Sequence, residues 1–136
     1  MMKAYLTRSY GPEARLEEAQ IPVPEPSSGQ ILIEVKASSL NPVDNMFLRH
    51  DIGMNPELPA VLHGDVAGIV SAVGKSVDSF KSGDEVYACA GGFKGHGGAL
   101  AEYMIADALL VAHKPRTLDF ASSAAFPLVS ITSCFP

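Results

Sequence analysis

The stretch Leu58–Gly74, LPAVLHGDVAGIVSAVG, decides the fold. Residues 67–73 read as a strand of small and β-branched side chains, and Gly64, Gly68 and Gly74 punctuate the stretch. Glycine at such places lets a second backbone approach closely or permits a positive φ. Downstream, Lys81-Ser82-Gly83-Asp84 turns the chain into another strand over 84–90, with the Asp84 carboxylate placed to bond the turn amides.

Working outward, the spacing predicts more short strands. Met2, Ala4 and Leu6 alternate with Lys3, Tyr5 and Thr7 over 2–8, and a more polar strand spans 15–20. Pro22, Pro24 and Pro26 hold an extended segment. Gln30–Ala37 is the clearest strand, with Ile31, Ile33, Val35 and Ala37 on one face. Strands are also expected over 99–106 and 109–113. Asn41-Pro42 starts a short helix to about Arg49, an N-cap residue followed by proline at the first helical position. Asp119 caps a second helical segment with Phe120, Ala124 and Ala125 toward a core, and Pro127 breaks or restarts it. Such a pattern is mainly β, a β-rich α+β chain forming a barrel or sandwich rather than a parallel α/β sheet.

Composition agrees. In 136 residues, Gly 12 and Pro 10 favour short strands and turns, and 47% apolar with 18% charged residues is globular rather than disordered. A net charge of -5 argues against a nucleic-acid partner, whose footprint is basic. Cys89 and Cys134 are too few for a disulfide framework or a thiolate metal cage, and both are expected to be buried reduced thiols. The amino end has no apolar run of signal-peptide length, and no stretch approaches a membrane span. A cytoplasmic protein without a membrane partner is expected.

Three segments carry the chemistry: KASSLNPVD at 36–44, the Leu58–Gly74 stretch with VDSFKSGDEV at 77–86, and GGALAEYM at 97–104 with HKP at 113–115. In this order the chain resembles the medium-chain dehydrogenase/reductase superfamily, in particular its quinone oxidoreductase-like branch, often labelled zinc-binding dehydrogenase. The resemblance implies a GroES-like, partly open β-barrel with short helices over residues 1–118. Residues 119–136 would start the helical connection to a Rossmann domain, which this chain does not contain. No G-x-G-x-x-G after a strand is present. Gly91-Gly92 and Gly95–Gly98 lie between strands, as a mobile hairpin rather than a phosphate cradle.

The resemblance also implies a hydride transfer between NADPH or NADH and a small quinone or enone-like carbonyl acceptor. Zinc-dependent members place a cysteine at Asn41 and a Gly-His-Glu at His63-Gly64-Asp65. An amide and a glycine thus stand where two ligands would be, so no metal is expected. His63 is one residue away from the ligand position and on a strand would face the other side. The resemblance places Asn41, Pro42 and Val43 at the nicotinamide end of a cleft, with Val129 and Thr132 on another wall. Asn41 can donate to a carbonyl there, or simply cap the helix. Asp44 is either a buried orienting carboxylate or an exposed acid complementing the helix dipole. Val129 and Thr132 are otherwise an ordinary helix face. A tyrosine found after NPVD in some relatives is replaced here by Met46 and Phe47, and His63 and His50 are the candidate proton donors.

The match stops after Thr132, where Ser133-Cys134-Phe135-Pro136 departs from it. The chain therefore reads as the amino-terminal catalytic lobe of an oxidoreductase, inactive alone and a homodimer at full length. Two rivals stand beside it. A zinc-type alcohol dehydrogenase is disfavoured by Asn41 and Gly64. A non-enzymatic binding module would present Phe120, Ala124, Leu128 and Ile131 as an apolar face and self-associate.

Overall fold

A computed structural model describes residues 1–134. Phe135 and Pro136, the last residues of the expected connection, lie outside the described residues. In chain order the elements are β1 (Met2–Thr7), β2 (Glu17–Ile21), β3 (Gln30–Ser38), α1 (Pro42–Arg49), β4 (Ala60–Val61), β5 (Asp65–Val73), β6 (Glu85–Cys89) and β7 (Tyr103–Asp107). A single 3₁₀ turn (Ala108–Leu110), β8 (Val111–His113), α2 (Phe120–Ala124) and α3 (Pro127–Cys134) follow.

The strands form two open antiparallel sheets, ordered β2-β1-β4 and β7-β3-β5-β6-β8. Residues 99–102 stitch one to the other. Tyr5 N donates to the Leu100 carbonyl at 2.8 Å, Glu102 N to Lys3 at 3.1 Å, and Val35 N to Glu102 at 2.8 Å. This is why the strand expected over 99–106 begins only at Tyr103. The hydrogen bonds of the preceding residues go to several elements in turn, and Ala101 keeps one isolated bridge, to Ala4.

The larger core lies on the five-stranded sheet, where Ile31, Ile33, Val66, Val70 and Val86 are almost wholly buried and Phe80 and Met104 close the edges. Each such side chain contributes about 1.5–3 kcal/mol. A smaller cluster of Phe47, Ala60 and Leu62 supports α1. Close glycine contacts pin the sheet: a Cβ on Gly68 would sit 2.1 Å from the Glu34 carbonyl oxygen in β3.

Several expectations need correction. Leu32 is buried along with Ile31 and Ile33: β3 pairs with β7 in unbroken register over 30–34, so successive side chains still point to opposite faces, and both faces are covered there. Residues 109–110 are helical, not strand: Leu109 N donates to the Asp107 carboxylate at 2.9 Å and curls the chain. In α2, Ser123 and Ala124 are buried while Ala125 is exposed, so Ala124 belongs to the core and not to an outer apolar face. Cys89 is only partly buried and Cys134 is exposed. The short pairing of β4 with β1 carries no sequence signature. Other local readings hold: Lys81 N donates to Asp84 at 3.0 Å, Ser122 N to Asp119 at 2.7 Å, and α3 restarts at Pro127.

Candidate active site

One end of the five-stranded sheet gathers the ends of five elements. Strand β3 stops at Ser38, and the chain turns through Ser39 to Asn41, the extended N-cap of α1. Pro42 follows at the first helical position, where its missing N–H leaves nothing unsatisfied. Strand β5 starts at Asp65, directly across from Cys89 at the end of β6. Helix α3 begins alongside at Pro127.

Asp65 is fully buried at this junction. Its Oδ2 accepts from Ser39 Oγ at 2.7 Å and from Asn41 Nδ2 at 2.9 Å, and its Oδ1 accepts from the Leu128 backbone N–H at 3.0 Å. Asp44, also buried, accepts the Asn41 backbone N–H at 2.7 Å and so closes the start of α1. Between the two carboxylates opens a cleft of about 330 Å³ with a mainly apolar wall, including Val43, Phe47, Met54, Phe93 and Leu128. Asn41, Asp44, Asp65, Gly64 and Cys89 supply its other boundary. Apolar walls with few convergent polar groups are the usual make-up of a small-molecule site.

Burial sets the electrostatics. It raises the Asp44 pKa above the usual carboxylate value, reinforced by the Asp65 charge and opposed by the Asn41 hydrogen bond and by His63. It lowers the His63 pKa, against the pull of Asp44 and Asp65. Both groups are thus pushed toward their uncharged forms. Burial and then the Asp65 carboxylate push the Cys89 thiol up to about 11.

The junction brings Asn41, Val43 and Asp44 together at the cleft. Pro42 is exposed beside them, and Val129 and Thr132 lie on the exposed side of α3. His63 lines no part of the cleft among the described residues. It occupies no strand: with φ of 74° it is in the left-handed region, its Nδ1 3.5 Å from Ser38 Oγ. In place of a strand, His63 sits in a turn held by hydrogen bonds from Ala99 N to His63 O and from Ala90 N to Gly64 O. His50 is exposed at the far end of α1.

Sequence reasoning missed Asp65 as a site residue. The available signal was its place in the triplet His63-Gly64-Asp65, where zinc-dependent relatives carry a glutamate beside the ligand. Zinc itself fits poorly here. Asn41 already donates its amide to Asp65, and a Cβ on Gly64 would lie 2.9 Å from the Gly91 oxygen and 3.2 Å from Cys89 Sγ. No cluster of three or more His, Cys, Asp or Glu suited to a metal occurs among the described residues.

The family pattern of the alcohol dehydrogenase GroES-like domain matches residues 27–116. The chain belongs to this family. The GroES-like chain is 41% identical to the NADPH-dependent alkenal/one oxidoreductase, chloroplastic, of Arabidopsis thaliana, over 97% of its own length and 36% of that protein's. It is 39% identical to the quinone oxidoreductase of Sus scrofa, over 91% of its length and 36% of the relative's. A crystal structure of an alcohol dehydrogenase superfamily protein from Novosphingobium aromaticivorans superposes with a TM-score of 0.90 at 35% identity, covering 98% of this chain and 40% of that one. The GroES-like chain thus spans just over a third of the curated relatives it matches, consistent with the amino-terminal part of a medium-chain dehydrogenase/reductase. No helix among its described residues is long and apolar enough to cross a membrane.

Proposed function

We propose that this chain forms the substrate-facing lobe of a zinc-independent oxidoreductase in which NADPH reduces an electron-poor carbonyl compound, a quinone or an enone. The carrying observation is the cleft itself: an apolar wall facing the buried polar pair Asn41 and Asp44 at the convergence of α1, β5, β6 and α3. The names of the two relatives support the same chemistry. When bound, the nicotinamide supplies the hydride. In this reading Asn41, Pro42 and Val43 border its ring from α1, and Val129 and Thr132 from α3. The binding of the rest of the dinucleotide falls to a second lobe. Val43, Phe47, Met54 and Phe93 exclude water from the acceptor, and Asn41 orients its carbonyl with the amide hydrogen that Asp65 does not take. Asp44 acts as the orienting carboxylate, accepting the Asn41 N–H and fixing the start of α1 at the cleft. Residues 1–118 form the lobe and 119–136 its connection.

Zinc independence rests on the donor chemistry of Asn41, Gly64 and Asp65, which presents one engaged amide, no side chain and one carboxylate already accepting three hydrogen bonds. Metal analysis of protein purified without added metal is expected to find none, and stoichiometric, tightly bound zinc would overturn the reading. Activity is tested on the open reading frame carrying this chain, with quinones, enones and alcohols against both nicotinamides. NADPH-dependent reduction of quinone or enone is expected; zinc-dependent alcohol oxidation alone would contradict it. Calorimetry is expected to find no tight NADPH binding by the 136-residue chain.

A second reading, a partner-binding module, draws on the exposed Phe126, Val129 and Ile131 around α3. Light scattering separates the two, since a monodisperse monomer at high concentration counts against the module.

A further inference from the structure

The hydrogen bonds into the Asp65 carboxylate come from two pieces of chain far apart in sequence, the β3–α1 connection and the start of α3. Ser39 follows β3, Asn41 opens α1, and Leu128 opens α3, 63 residues away in sequence. The Leu128 amide is among the first N–H groups of α3, which have no partner inside the helix. A carboxylate only accepts, whereas the two ends of an asparagine side chain differ only in hydrogen bonding, oxygen accepting and nitrogen donating. An acceptor at 2.9 Å therefore selects which end of Asn41 faces Asp65 and which atoms remain for the cleft.

We propose that Asp65 is the positioning residue of the cleft: its single carboxylate sets the orientation of the Asn41 side chain and ties it to the first turn of α3. The two oxygens divide the work. Oδ2 holds Asn41 together with Ser39, and Oδ1 holds the α3 backbone, so a displacement of α3 pulls on the group that orients Asn41. Glycine at position 64 keeps this junction tight, since any larger residue there meets the Gly91 carbonyl. Asp65 itself need touch no ligand. The importance of Asn41 for catalysis rests on the proposed function, while the positioning does not.

The test is nuclear magnetic resonance on the nitrogen-labelled chain. In the wild type the two Asn41 Nδ2 protons are expected to be well separated and slow to exchange, and the Leu128 amide protected. In Asp65→Asn, which keeps the size but offers an ambiguous amide, exchange at both sites should accelerate roughly tenfold or more. Amides in the β3–β5 ladder should keep their protection. Unchanged Asn41 and Leu128 signals would overturn the proposal, and so would an equal loss of protection across the sheet, which marks a purely structural role. Should Asp65→Asn not fold, Ser39→Ala leaves the carboxylate in place and must still shift the Asn41 pair; no shift would sink the idea. None of these readouts involves NADPH or an acceptor, so failure of the positioning is visible separately from failure of the proposed activity.

Discussion

The middle of the five-stranded sheet and its cleft end are built on opposite principles. In the middle, Ile31, Ile33, Val66, Val70 and Val86 bury apolar side chains over a regular antiparallel ladder. At the cleft end the buried polar residues are Asn41, Asp44 and Asp65, held by a few directed hydrogen bonds. Apolar packing is non-directional and tolerant, so many side chains of similar volume suffice. A buried polar group needs a partner in the right place, and each lost partner leaves a desolvated atom behind. The sheet centre therefore supplies stability, and the cleft end uses some of it to hold polar groups where a ligand can meet them.

The sharpest way to break this contrast is at Gly68. An alanine there drives its Cβ into the Glu34 carbonyl and separates β3 from β5, costing about 4 kcal/mol or more in chemical denaturation. A near-neutral Gly68→Ala would mean that the sheet centre is less rigid than its packing implies. Next comes Ile33→Ala, a cavity in the same region, expected to cost about 3 kcal/mol. The Asn41 and Leu128 resonances should stay in place; if they move, the two regions are not independent.

Smaller effects belong to the cleft. Burial raises the Asp44 pKa, so its carboxyl favours the folded state below the usual value near 3.8, and that contribution is lost as pH rises through the raised value. At neutral pH the buried charge opposes folding. Asp44→Asn keeps an oxygen for the Asn41 N–H, and should raise the melting temperature at pH 7.5 by about 2–4 °C and flatten its decline above pH 4. A lower melting temperature would mean that the charge is stabilised by contacts stronger than its desolvation. The smallest structural disturbance is chemical. With its thiol pushed up to about 11, Cys89 should react with iodoacetamide at pH 8 about a hundredfold more slowly than an ordinary exposed thiol. Mass spectrometry should find Cys134 modified first. Equal rates would mean that the cleft end is open to solvent.

The regular parts of this architecture were legible in the residues. The strand over Gln30–Ala37, the turn at Lys81–Asp84, the Asn41-Pro42 helix start and the Asp119 cap are local signals, set by contacts within a few residues, and each appears where expected. The residues that failed are those whose partners lie far off. Residues 99–102 look like strand but divide their hydrogen bonds among several elements. His63 looks like a strand residue but sits in a left-handed turn against the 90–99 loop. Asp65 stands in the sequence only as the last member of the triplet His63-Gly64-Asp65, because nothing local announces a donor 63 residues away.

By itself, then, the sequence determined the β-rich class and the family, since periodicity, turn chemistry and motif order are properties of neighbouring residues. Only the tertiary structure decided that Asp65 joins three segments and that His63 sits in a left-handed turn. Those outcomes depend on where strand ends and helix starts meet in space, and a directed hydrogen bond to a buried carboxylate exists only once they have met.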